Sequence, residues 1–334
     1  MMMGNKTPKI KMLSRVNTYN NDLIILDGMW GTGKSLISPI INGFQGVDQF
    51  RIDGLTEFIA ILNSMGEISE NTASVILQQH VDAITFSSAC SREINLRYYD
   101  DSSHLKNFQW KRYLQNLFTK DKGQFDAGII ANNPASFLMT HNLRPTFQLF
   151  HHAFGSRLKF IEIKRHPVYC LKYWSEYLPR IGVDAKEQTL TINNINPIPW
   201  FITDEDEYLK ASNIEKAIIS YKALSDLNNQ DKNIAQNILS IPLESFIKDT
   251  DRWVQQLTIF LARELKFDAR KNVQLPRLFL EGFNGPAKSA QEEKEYYESC
   301  LSYIRDNSSE EKFLEFMDDV NRYEKNLDEL KNHS

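Results

Sequence analysis

The chain has 334 residues, 42% of them hydrophobic and 25% charged. Those proportions argue for an ordered core rather than disorder, and the length allows one large α/β domain or two ordinary ones. With 39 basic and 43 acidic residues the net charge is -4, which argues against a broad basic grip on nucleic acid but leaves room for a local basic pocket.

Cys90, Cys170 and Cys300 lie far apart, with no CxxC pair and no metal-ligand spacing. They read as thiols of a reducing compartment, and no metal site is expected. Residues 1–16 are basic but lack the apolar stretch of a secretory signal. No apolar run is long enough to cross a bilayer. A cytoplasmic protein without a membrane span is therefore the expectation, and the sequence says nothing of oligomeric state.

In chain order, residues 1–20 form an N-terminal extension and residues 22–26 the first strand. After that strand comes Gly28-Met29-Trp30-Gly31-Thr32-Gly33-Lys34-Ser35 and then an apolar helical stretch, 36–44. This is a complete GxxxxGKS between a strand and a helix, the context in which the motif binds phosphate. Glycines let successive backbone N–H groups turn inward around an anion, and the following helix presents its positive end. Gly28, Gly31, Thr32, Gly33, Lys34 and Ser35 are thus the expected nucleotide-binding set. Lys34 brings a mobile charge to the distal phosphate, and Ser35 can coordinate magnesium or hydrogen-bond a phosphate oxygen. Pro39, inside the helix, removes a donor beyond the phosphate-contacting turn.

Four more β-like segments follow at 49–52, 136–140, 158–163 and 238–243. Helical patterns lie between them, for example at 55–65, 108–119 and 146–154. The alternation predicts a parallel sheet of about five strands covered by helices on both faces, a P-loop fold spanning residues 21–289. Long insertions at about 54–135 and 169–235 sit where such folds build an acceptor pocket or lid. The aromatic segment from Phe108 to Tyr113 reads as core packing with solvated Lys111 and Arg112. Tyr173–Trp174 and Trp200–Phe201 read as buried hydrophobes. Residues 290–334 are charged and helical in pattern, a surface tail without readable chemistry.

Three strand ends carry candidate chemistry: Met139-Thr140-His141, Lys164-Arg165-His166-Pro167 and Leu243-Glu244-Ser245. With the loop, they resemble the sulfotransferase family over about half the chain and in the expected order. His141 is similar to the family's general base in Lys-Thr-His. FIEIKRHPVY, residues 160–169, resembles the strand leading to the arginine that holds the donor's 3′-phosphate, which implies that role for Arg165. IPLESFIKDTDRWVQQLTIFL, residues 241–261, resembles the family's strand, acidic residue and helix. The chain departs from the family pattern in having Gly31 before Thr32, Met139 before Thr140 and Tyr173 eight residues after Arg165. Its arginine and glycine segment near the end is represented only by Arg277, Gly282, Gly285 and Lys288.

The resemblance implies a sulfonate transferred from 3′-phosphoadenosine 5′-phosphosulfate to an acceptor hydroxyl or amine, with His141 and Lys34 catalytic. The alternative is a P-loop kinase using ATP with magnesium on a small molecule or sugar, with Lys34, Ser35 and Asp53 in the site and Asp27 as a further acid. Asp53 also reads as a helix cap, His166 as structural, and Glu244 as either a site-orienting or a solvated acid. Either enzyme needs a nucleotide donor and an acceptor as partners. A non-catalytic nucleotide switch is the third class.

Overall fold

A computed structural model describes residues 13–16, 19–184, 187–193, 195–229, 238–268 and 290–332. Most of the N-terminal extension, and the segment holding Arg277, Gly282, Gly285 and Lys288, lie outside the described residues.

The strands are β1 (Leu23–Asp27), β2 (Arg51–Ile52), β3 (Ser136–Met139), β4 (Leu158–Lys164) and β5 (Ile238–Pro242). They form one sheet in the order β2-β3-β1-β4-β5, and every neighbouring pair is parallel. The α/β class, the strand number and the parallel sheet are as the alternating pattern predicts. The second strand is shorter than the predicted 49–52, because Gln49 N donates to the Tyr113 hydroxyl instead of joining the ladder.

β1 is buried along its whole length, and successive side chains enter two different cores. Ile24 and Leu26 face one core with α1 (Lys34–Ile41), α10 (Leu243–Lys248) and α11 (Thr250–Leu261). Leu23 and Ile25 face the other, with α2 (Gly54–Ser64), α3 (Glu70–Ala89) and α6 (Phe147–Phe154). A strand covered on both faces has to be apolar throughout, which is why residues 23–26 read as an unbroken run rather than an alternation. α4 (Trp110–Leu117) and α5 (Gln124–Asn132) belong to the first insertion, together with α2 and α3. There Tyr113 is fully buried as expected, but Trp110 of the same segment is 40% exposed, and Arg112 is not simply solvated: its Nη2 lies 2.6 Å from Asp48 Oδ1.

A third core lies among α7 (Pro167–Tyr177), α9 (Asn213–Asn229) and the last two helices, α12 (Ala290–Asp306) and α13 (Glu310–Asn332). The short α8 (Glu205–Lys210) adds the buried Tyr208. Cys300, Ile304, Phe316 and Val320 are buried in this core, which corrects the expectation of a surface tail. The charged pattern of 290–332 marks the outer faces of two amphipathic helices; their inner faces close over α7 and α9.

Phe316 is fully buried, so Phe316→Ala should destabilise the chain by about 3–5 kcal/mol in urea unfolding. A loss below about 0.5 kcal/mol, the range of a surface substitution, would show that the C-terminal helices are peripheral.

Candidate active site

The segment from Gly28 to Ser35 leaves the central strand β1 and enters α1. Gly31 and Gly33 have φ of 70° and 86°, a region open to glycine and strained for other residues. Gly33 is also the N-cap of α1 and carries no side-chain cap. No described residue accepts from the amides of Gly31, Thr32 or Gly33. Backbone donors left open at a helix N-terminus are the kind of group that an anion can satisfy. Pro39 leaves the Ser35 carbonyl without its helical donor, and Ser38 Oγ supplies one at 3.3 Å, so α1 continues to Ile41.

Neighbouring elements hold the loop from outside. The Trp30 ring packs on Trp174, Tyr177 and Phe201 with centroids 5.2–5.8 Å apart, and Trp174 Nε1 donates to Trp30 O at 2.9 Å. The Tyr173 ring lies directly on Gly31, where an added Cβ would come within 2.9 Å of it. Trp174 and Phe201 are buried as expected, and Tyr173 is partly exposed.

Lys34 is only 5% exposed. Its Nζ donates to Gly28 O at 2.6 Å and to Met29 O at 3.0 Å. Burial pushes its pKa down to about 8, against the pull of the Asp27 and Glu57 carboxylates. Asp27, the last residue of β1, is fully buried, and burial raises its pKa. It accepts from Thr140 Oγ1 at 2.8 Å, from Leu143 N at 3.0 and 3.1 Å, and from Arg144 N at 3.0 Å. Asn142 N, in the same loop, donates to Gly28 O at 3.3 Å. Asp27 thereby fixes the loop after β3 against the phosphate loop, and that loop carries His141.

The partner of His141 is a residue that sequence reasoning missed. Glu57 Oε1 accepts from His141 N and faces His141 Nδ1, both at 3.0 Å. Burial and the Lys34 charge lower the His141 pKa, so the ring is neutral near pH 7. Burial raises that of Glu57, with Lys34 opposing. One Glu57 oxygen that accepts from the backbone and faces Nδ1 fixes the orientation of the ring. Glu57 shares a buried face of α2 with Ala60 and Ile61, three and four residues on. A glutamate in register with apolar positions was the available signal. Gln188, from the second insertion, rests on Gly54 at the start of α2. Its neighbour Glu187 accepts from the Tyr177 hydroxyl and adds negative charge near His141.

Arg165, at the end of β4, is 8% exposed and donates through Nη1 to Gly31 O. The structure therefore brings Lys34, His141 and Arg165 to the phosphate loop. The other strand-end candidates are engaged elsewhere. Asp53 N-caps α2 through Thr56 N at 2.9 Å and holds His80 Nε2 at 2.8 Å. His166 accepts from Val168 N at the start of α7, among the rings of Tyr169, Tyr297 and Tyr323. Glu244 Oε1 accepts from His166 N, tying α10 to the start of α7.

Asp27→Ala leaves three donors of the β3 loop without their acceptor, at about 1–3 kcal/mol for each buried one. The Leu143 and Arg144 amides should then exchange with deuterium much faster while those of β4 stay protected. Unchanged protection at both amides would contradict this role for Asp27.

Among the described residues no helix is long and apolar enough to cross a membrane. No known protein family matches the chain, and no curated protein does. Among solved structures it is similar to the sulfotransferase domain of the olefin synthase of Synechococcus PCC 7002, at 12% identity and a TM-score of 0.41, covering 94% of this chain and 98% of that one. It is also similar to sulfotransferase STF9 from Mycobacterium avium, at 10% identity and a TM-score of 0.36, covering 85% of this chain and 76% of that one. At such identities and TM-scores these likenesses carry no weight for the chemistry of this chain.

Proposed function

We propose that the protein is a sulfotransferase-like enzyme that takes a sulfonate from 3′-phosphoadenosine 5′-phosphosulfate and passes it to an acceptor hydroxyl or amine. One observation carries the reading: the His141 imidazole, held by the buried Glu57, lies within reach of the charge of Lys34, the lysine of the glycine loop. Sulfonyl transfer asks for a base on the acceptor and fixed positive charge on the leaving phosphate. The donor supplies the activated sulfonate.

His141 Nε2 takes the acceptor proton as the acceptor atom bonds to sulfur and the bond from sulfur to the donor's phosphate oxygen breaks. Glu57 holds the ring through Nδ1. Lys34 and the amides of Gly31 to Ser35 receive the charge left on the 5′-phosphate. Arg165, fixed at Gly31, stands on the same loop for the 3′-phosphate. Tyr173, in place of a small hydroxyl residue, closes that side of the loop with an aromatic face.

The kinase reading has its support in Lys34-Ser35, the ATP-type form of the loop. It also needs a carboxylate for magnesium. Asp27 and Asp53, the two acids it would call on, already serve as acceptors for the β3 loop and the α2 cap. These commitments favour sulfonyl transfer.

A thermal-shift comparison separates the donors. 3′,5′-Adenosine bisphosphate without magnesium should stabilise the protein more than ATP with magnesium, and Lys34→Ala should abolish the response. The reverse preference would favour the kinase. With a hydroxyl or amine acceptor found by screening, His141→Ala should lower kcat by about 10²–10⁴-fold and leave bisphosphate affinity within about threefold. Because the His141 pKa lies below its ordinary value near 6.5, the base form persists as pH falls from 7 to 6. His141 should therefore set no acid limb of kcat/KM between pH 6 and 7, and a limb in that window would remove it as the neutral base.

A further inference from the structure

A cavity of about 460 Å³ opens between the ends of β1, β3 and β4 and the helices α9 and α13. Gly28, Met29 and Thr32 bring the outer side of the glycine loop to it, next to Arg165. The cavity therefore continues the loop to which the donor is assigned above, and its volume falls in the range of small-molecule sites, about 300–1,000 Å³. Tyr221 and Tyr323, from the two helices, give it flat walls of the kind that suit a nucleotide base.

The charges on the strand-end wall of this cavity are unequal. Arg144, Lys164 and Arg165 line it together with Asp27 and Glu162. Asp27 is matched by the buried Lys34. Glu162 then stands alone against the three cations of that wall, with Lys164 Nζ at 3.4 Å, Arg144 Nε at 3.9 Å and Ser240 Oγ donating to it at 2.8 Å. On the opposite side Arg322 lies 3.3 Å from Asp319 and 3.0 Å from Asp226, so those charges answer one another. An excess of positive charge therefore remains beside the loop, and a phosphate monoester, with a charge of about −1.5 to −2 at pH 7, is the group that neutralises it.

Of the three cations Arg144 has the most to offer such a group. Its backbone N donates to Asp27 at 3.0 Å, which anchors the residue at the foot of the loop. In its side chain only Nε faces an acid, at the long distance to Glu162; among the described residues nothing accepts from Nη1 or Nη2. The parallel N–H donors of one guanidinium match two oxygens of a phosphate. Arg165, by contrast, already spends Nη1 on Gly31 O.

We infer that Arg144 is a second ligand of the donor's 3′-phosphate, which it receives in this cavity together with Arg165, so that the chain selects a 3′-phosphorylated nucleotide over a plain 5′-monophosphate. The inference rests on the donor reading proposed above and adds to it a specificity residue from outside the glycine loop and the end of β4. Arg144 and His141 belong to one loop, held by Asp27. The segment that offers the base thus also grips the donor.

Titration calorimetry on the full chain without magnesium tests this, with 3′,5′-adenosine bisphosphate and 5′-AMP as the two ligands. The wild-type chain should bind the bisphosphate more tightly than 5′-AMP by about thirtyfold or more, as two charge-assisted contacts to one phosphate imply. Arg144→Met removes the guanidinium and keeps an apolar stem. It should weaken the bisphosphate by about tenfold or more, the value of one hydrogen bond to a charged group, and move 5′-AMP by less than about threefold. Arg144→Gln should lower the preference in the same direction, and it keeps the test open should the methionine variant fail to fold. Three results overturn the inference alone: equal affinity of the two ligands for the wild-type chain, equal weakening of both in a folded variant, or a bisphosphate affinity that neither substitution changes. Failure of the wild-type chain to bind either ligand overturns the donor reading, and this inference with it.

Discussion

A positive charge buried at the tip of the central strand has to be neutralised, and much of the site is arranged around that requirement. Lys34 is nearly inaccessible to water, and an ammonium in such a place is tolerated only with acceptors and counter-charges close by. The carbonyls of Gly28 and Met29 supply the first, Asp27 and Glu57 the second. Each carboxylate then does a further job. Asp27 gathers the amides of the β3 loop, and Glu57 fixes His141, which that loop presents. One charge thereby ties together β1, the β3 loop and α2, elements that are distant in sequence.

The local parts of this arrangement were legible in the sequence. The five strands announced themselves as apolar runs, and the glycine loop combined motif and context, so its place between β1 and α1 followed. Thr140, His141 and Arg165 stood out by lying at strand ends. Their partners did not, because hydrogen bonds across 84 residues, such as that from His141 to Glu57, leave no local pattern. Glu57 reads as an ordinary first-turn acid until α2 is rolled onto the sheet and that face is seen to be the buried one. Asp53 gave the opposite lesson: its place after a strand suggested chemistry, and the structure uses it as a cap.

The C-terminal helices show why a charge-rich pattern misleads. Residues 290–332 carry enough acidic and basic residues to look like a solvated appendage, yet one narrow stripe of each helix, with Cys300, Ile304, Phe316 and Val320, completes a core. Stripe width, not overall polarity, decides whether a helix docks. Docking also sets Asp319 against the strand ends, so an acid that reads as one more surface charge becomes a buried one. The tail therefore links packing and function: it closes the helical layer behind Trp30, and it walls the cavity that borders the phosphate loop.

The central claim is that the amides from Gly31 to Ser35, with Lys34, enclose the phosphate of a nucleotide. A titration of the isotopically labelled chain with 3′,5′-adenosine bisphosphate, followed through backbone amide shifts, tests it most directly. The account predicts saturable downfield movement of the Gly31, Thr32 and Gly33 amides as the anion becomes their acceptor, while the amides of α11 stay in place. Saturable shifts confined to other segments, with these three amides unmoved, would contradict it.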